Sequence, residues 1–276
     1  MQMRKLAAGA VVFAIHVSSG NADPAARSAT TAATCNAPIQ ANSGPQTVSI
    51  VELYTSEGCD SCPPADQWFS RLESRGSAII PMAFHVDYWD YIGWKDPFAS
   101  ALYTQRQREA VTRQGSRTTY TPQVMVDGRD MRAWSNDSQF QSRVHEVSAR
   151  TPRAEISVDA KFAGNTVEAG MQANVALAAD RPDAVVYFAL TEDKLVSRVT
   201  AGENRSKTLK HDHVVRELVG PIALDARDRA AGKFQLSRTL SLAPDWKRED
   251  LSLVTFVQSA RTGEVLQALV APLCGS

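Results

Sequence analysis

The chain has no surplus of charge: 30 Lys and Arg are matched by 30 Asp and Glu. It therefore lacks the net positive field that nucleic-acid binding draws on, and no nucleic-acid partner is expected. The N-terminal apolar run is too short to cross a membrane comfortably, and no later run reaches the roughly 18 apolar residues of a membrane-crossing helix. There is no GxSxG, so the exposed nucleophile of a serine hydrolase is missing. There is no Walker or Rossmann glycine pattern to cradle a nucleotide, and no cofactor is expected. Cysteine is scarce at four, with no second CxxC and no Met-rich tract, so a structural zinc or copper site lacks its usual ligands. No internal repeat is visible.

What is present is a folded protein's composition, 43% hydrophobic and 22% charged, over a length that holds one large domain or two ordinary ones. Residues 1–22 read as a signal peptide: Arg4 and Lys5, then the short apolar run Leu6 to Val17, then small residues at Gly20-Asn21-Ala22. Residues 23–46, rich in Ala, Ser, Thr, Asn and Pro, read as a flexible leader. Export, to the periplasm or beyond, sets the cysteines Cys35, Cys59, Cys62 and Cys274 where disulfides persist. Cys35 precedes the first core strand and Cys274 follows the last, so they are expected to pair as a structural disulfide.

Residues 47–54 (TVSIVELY) form a strand candidate rich in β-branched and aromatic side chains. Pro63-Pro64 suit a helix's first turn, and Trp68, Phe69 and Leu72 continue one face, with a stop at Gly76. Residues 78–86 read as a strand buried on both faces. Asp96-Pro97 looks like an N-cap and N1 proline, opening a helix to about Gln114. Pro122 to Val126, Asp127-Gly128 and Met131 to Trp134 read as a hairpin, and Ser135 as the cap of a helix to Ala149. After Thr151-Pro152 the texture changes to alternating strands: residues from Ile156, then 184–191, 195–201, 234–242, 250–259 and 264–271. The expectation from this order is an α/β domain over 47–152 followed by an all-β sandwich over 153–276.

A strand, a turn, CxxC and a helix opening at the cysteines point to thiol chemistry. A helix start offers unpaired N–H groups and a positive dipole end, which favour a thiolate on Cys59. Cys62, one turn later, is placed to resolve a mixed disulfide. Asp60 sets a negative charge beside that thiolate and opposes the effect. Pro63 disfavours helical dihedrals at Cys62, so the first turn is expected to begin later. In thioredoxin-like folds a cis-proline faces the CxxC, and Thr121-Pro122 has the matching place in the chain.

The segments VELYTSEGCDSCPPAD, AFHVDYWDYIGWKDPFAS, YTPQVMVDGR and GENRSKTLKHDHVVREL closely resemble an uncharacterised family of secreted thioredoxin-like proteins, the domain of unknown function numbered 1223. The resemblance spans residues 46–273. It implies a thioredoxin-like fold with an appended β-rich domain. Thioredoxins also hold a buried acid in the strand before the CxxC; Glu52, seven positions before Cys59, is the counterpart and a groove candidate.

The reading of function is an exported thiol-disulfide oxidoreductase acting on a thiol- or disulfide-bearing protein or a small thiol. Cys59 is nucleophile, Cys62 resolves, and Pro122 shapes a groove with Thr121, Glu52, His85 and Trp89. The dense stretch His85 to Trp94 reads either as a rim over the cysteines or as a loop packed for stability. The alternatives are a binding module with a static Cys59–Cys62 disulfide, and a metal-binding accessory protein. For the latter, His211-Asp212-His213 on a strand would set two imidazoles on one face.

Overall fold

The structure, a computed structural model, describes residue 35 and residues 37–73 and 78–274. The signal segment 1–22, most of the leader and the expected stop at Gly76 lie outside the described residues.

The first half runs β1 (Ile39–Asn42), β2 (Ser49–Thr55), α1 (Pro63–Phe69), β3 (Ile79–His85), α2 (Ala101–Arg113), β4 (Gln123–Val126), β5 (Arg129–Asp130) and α3 (Asp137–Ser148). The second runs β6 (Ala154–Ala163), β7 (Thr166–Val175), β8 (Ala184–Glu192), β9 (Leu195–Arg198), β10 (Thr208–His211) and β11 (Val214–Ala223). It ends with α4 (Ala226–Ala231), β12 (Lys233–Ser241), β13 (Leu251–Ser259) and β14 (Val265–Pro272). Part of the presumed leader is thus a strand: β1 pairs antiparallel with β6, Ile39 opposite Ala160.

The expected thioredoxin-like α/β domain followed by a separate sandwich is not what forms. Strands of both halves join one eight-stranded mixed sheet, ordered β14-β13-β8-β11-β3-β2-β4-β5. The whole is a β-rich fold, with β1-β6-β7-β12 as a second sheet and β9-β10 as a ribbon. The joint is β11, which pairs antiparallel with β8 and lies parallel to β3 at Val214 and Ala83. Ala83 N–H donates to His213 O there, at 2.8 Å. Nothing local marks this strand: it carries Gly220-Pro221 and two register shifts. Its pairing with β3 joins residues far apart in sequence, which period and propensity do not report.

Every residue of β2 and β3 is buried, as expected for strands covered on both faces. Alternation divides β2. Ile50 and Tyr54 share a core with Ile80, Met82 and Phe84 and with Tyr103, Ala110 and Val111 of α2. Val51 and Leu53 face the other way, towards Ala65 and Phe69 of α1 and Phe140 and Val144 of α3. The α2-side core runs on into Tyr187 and Phe256 of β8 and β13, so it spans both halves. A third core lies between β6, β7 and β12 and the opposite side chains of β8 and β13, such as Phe188 and Leu253.

Two helix starts differ from expectation. Asp96 is buried and does not cap α2; Ser100 does, accepting from Leu102 N–H at 3.3 Å. Asn136, one residue after Ser135, caps α3. The β4–β5 turn also meets the second half: Gly128, at φ +71°, lies so near Gly263 that a Cβ would come within 2.4 Å of its carbonyl oxygen. Only glycine fits both the conformation and the approach.

Candidate functional site

Cys59 and Cys62 are joined by a disulfide in the turn between β2 and α1. Both are fully buried, while the intervening Asp60 and Ser61 are exposed. Cys59 Sγ and Ser61 Oγ are 3.4 Å apart. Contrary to the expectation from Pro63, Cys62 adopts helical dihedrals, φ −78° and ψ −38°, and is the residue before α1. Its carbonyl holds it there by accepting from Ala65 N–H at 2.9 Å and Asp66 N–H at 3.1 Å. The supply of free amides at this helix start is therefore small. Pro63 and Pro64 have no N–H, and the next two are bonded to Cys62.

Beneath the turn lies a buried polar cluster. Glu57 N–H donates to Asp96 Oδ2 at 2.8 Å, and the same oxygen is 2.7 Å from His85 Nδ1. Glu57 Oε2 accepts from Trp94 Nε1 at 2.8 Å, and its Oε1 is 3.1 Å from His211 Nε2. The His85 and His211 rings meet edge to face at 4.9 Å. Burial works to lower the His85 pKa, but the Asp96 carboxylate, with Asp66 and Glu57 behind it, wins and raises it. Asp96 is held below its ordinary value because contact with His85 outweighs its own desolvation. Burial pushes the Asp66 carboxyl up, against the pull of His211 and His85.

The residues singled out in the sequence divide into two sets. Trp89 reaches the cysteine turn, packing on Gly58 so closely that a Cβ there would meet its own Cβ at 3.0 Å, and its Nε1 donates to Thr121 Oγ1 at 2.7 Å. The Thr121-Pro122 peptide is cis. His85 joins the cluster through Asp96. Glu52 does not. It sits on the α2 side of β2, where Arg106 Nε donates to its Oε1 at 2.8 Å and Tyr54 donates to its Oε2 at 3.2 Å. Cys35 and Cys274 are disulfide-bonded across a sequence separation of 239.

Sequence reasoning did not find Glu57, Asp66, Asp96 or Asn204 as members of the site. A weak signal existed for Asp66, two residues from Trp68, and for Asp96, between Trp94 and Phe98; the neighbours of Glu57 and Asn204 are small or polar and gave none. His211 was found, but in another role. His213 has φ +59°, which breaks the alternation of the strand, so the two rings diverge. His211 turns to Glu57, while His213 bonds Leu72 O at 3.0 Å and Asp193 at 3.2 Å. Among the described residues no three His, Cys, Asp or Glu are grouped to hold a metal ion. Nor, among them, is any helix long and apolar enough to cross a membrane. Two disulfides are the mark of an oxidising environment outside the cytoplasm.

Two solved structures share the fold, and at these identities the likeness is of fold alone. One is a protein from Agrobacterium tumefaciens, 23% identical, with a TM-score of 0.58 over 82% of this chain and 95% of that one. The other is HBP35 of Porphyromonas gingivalis, 12% identical, with a TM-score of 0.63 over 83% of this chain and 76% of that one. No curated protein matches. The model of the family described as Protein of unknown function (DUF1223) matches residues 50–258, and the chain belongs to that family.

Proposed function

We propose that the protein is a thiol-disulfide exchange protein, secreted or periplasmic, whose working pair is Cys59 and Cys62. The observation that carries this reading is a disulfide of two cysteines three apart, set over a buried cluster of acids and imidazoles. In the oxidised form an incoming thiolate attacks Cys59 Sγ, the Cys59–Cys62 bond breaks, and Cys62 leaves as a thiolate that takes a proton. A second substrate thiol then attacks the mixed disulfide. It releases a substrate disulfide and leaves both protein cysteines reduced. Reversing the steps makes reduced Cys59 the nucleophile and Cys62 the resolving thiol. Ser61, beside Cys59 Sγ, and Thr121 with Pro122, linked through Trp89, are the groups assigned to the approach of substrate.

A second reading, the static disulfide, draws on the full burial of both sulfurs. One titration separates the two. The full chain is equilibrated in glutathione redox buffers and the Cys59–Cys62 state is mapped by alkylation and peptide analysis. Exchange predicts a reversible transition at this pair with Cys35–Cys274 intact, and a trapped mixed disulfide on Cys59 in Cys62→Ser. A pair that never opens while the fold persists, or trapping on Cys62 in Cys59→Ser alone, overturns it.

A further inference from the structure

The loop joining β9 to β10 turns back over the cysteines. Its neck is closed by Ser206 N–H to Val199 O at 2.9 Å and Val199 N–H to Lys207 O at 3.0 Å. Gly202, at φ +70°, lets it lie against Ile92 and Trp94. At its tip the fully buried Asn204 donates through Nδ2 to Glu57 O at 2.8 Å and Cys59 O at 2.9 Å. Lys207 Nζ donates to Asn204 Oδ1 at 2.8 Å, which fixes the amide with its NH2 towards those carbonyls. Glu203 Oε2 accepts from Asp60 N–H at 3.2 Å.

Consecutive backbone groups of the redox turn, the Cys59 carbonyl and the Asp60 N–H, are thus met by one donor and one acceptor from a single loop. These two groups belong to one trans peptide and point to opposite sides, and an extended polypeptide passing on the Asn204 side brings its own N–H to the Cys59 carbonyl. A small thiol brings a sulfur atom and nothing to replace the Asn204 bonds, so its entry leaves the buried Asn204 amide and Glu57 carbonyl unpaired. We infer that Asn204 determines specificity at the Cys59–Cys62 disulfide by standing where a peptide N–H would bind, with Glu203 holding the loop tip from the other side of the turn. Exchange is thereby reserved for cysteine-bearing extended polypeptides and closed to small thiols. This rests on the exchange reading above, and the chemistry is that reaction: a peptide dithiol becomes a peptide disulfide as the protein disulfide becomes a dithiol.

The test compares two reductants on the oxidised full chain: dithiothreitol, and a short unstructured peptide carrying two cysteines. Rates of Cys59–Cys62 opening are measured for the parent, Asn204→Ala and Glu203→Ala, with folding checked by circular dichroism. Losing the two Asn204 bonds should speed dithiothreitol about tenfold and the peptide far less, so the peptide preference falls; Glu203→Ala gives a smaller change in the same direction. Glu203 is exposed, so that variant decides the matter if Asn204→Ala does not fold. An unchanged preference in the folded variants, with the parent still exchanging, overturns the role of the loop and leaves the exchange reading standing. Resistance of parent and variants to both reagents, with the urea-unfolded chain readily reduced, overturns both.

Discussion

Asp96 is the residue on which the cluster under the cysteines turns. One of its oxygens meets both His85 and the Glu57 N–H, and the other accepts from Phe98 N–H at 2.9 Å. The pair with His85 has a definite pH signature. His85 holds its proton more tightly folded than unfolded, so its share of stability is complete below the ordinary imidazole value of 6.5 and fades as pH rises through the raised folded value. Asp96 releases its proton more readily when folded. Its share is present above the ordinary 3.8 and is lost as pH falls through the lowered value. The window in which the pair stabilises the protein lies between these limits. Removing one partner of a buried pair costs about 3–5 kcal/mol. Asp96→Asn should therefore unfold at clearly lower temperature near pH 5.5, with a smaller deficit at about pH 9. Calorimetry at the two pH values decides it; an equal deficit at both would mean the His85 charge contributes nothing.

Among the elements, α2 is held by charge inside a core. Arg106 is buried, bonded to Glu52, and its guanidinium lies 4.9 Å from the Tyr187 ring and 5.6 Å from that of Phe256. One side chain of the first half thus anchors strands of the second. Arg106→Ala leaves the Glu52 carboxylate buried without its cation, at a cost of roughly 3–5 kcal/mol. Converting the pair to Arg106→Met with Glu52→Gln should recover most of that loss, read as the midpoint of urea unfolding. A double variant no better than the single one would show that the stacking on Tyr187 and Phe256 matters more than the charge. Much at this scale was legible in the sequence. The β-branched run before the CxxC, the turn at Asp127-Gly128 and the alternation after Pro152 all formed, since each is written in local period and turn chemistry; the hairpin's second strand, however, is Arg129–Asp130, and Met131 to Trp134, expected to form it, is a turn. β11 and β1 were not legible, because a strand broken by Gly-Pro and a strand in an Ala-rich leader owe their shape to partners far off in sequence. The placement of Cys59, Cys62, Trp89 and His85 about one turn was legible. Asn204 was not, since an amide gains its meaning from the carbonyls it meets.

At the scale of the whole molecule, the shared sheet decides what can fold alone. The β3 edge is covered by β11, and Asp127 Oδ1, in the first half, accepts from Val265 N–H at 2.7 Å. Cutting at residue 152 exposes that edge and halves the core that joins Tyr54 and Phe84 to Tyr187 and Phe256. Residues 47–152 made alone should show no cooperative unfolding transition and should aggregate; a monomer with a sharp transition would show that the halves are independent after all. The Cys35–Cys274 bond bears on the same scale. It turns the intervening chain into a covalent ring. A machine that unravels proteins by threading them from one end meets no free end within this span. It must pull two strands through its pore together, or wait for a reductant. A single cut in any surface loop likewise releases no fragment, because both pieces stay tied through the sulfurs.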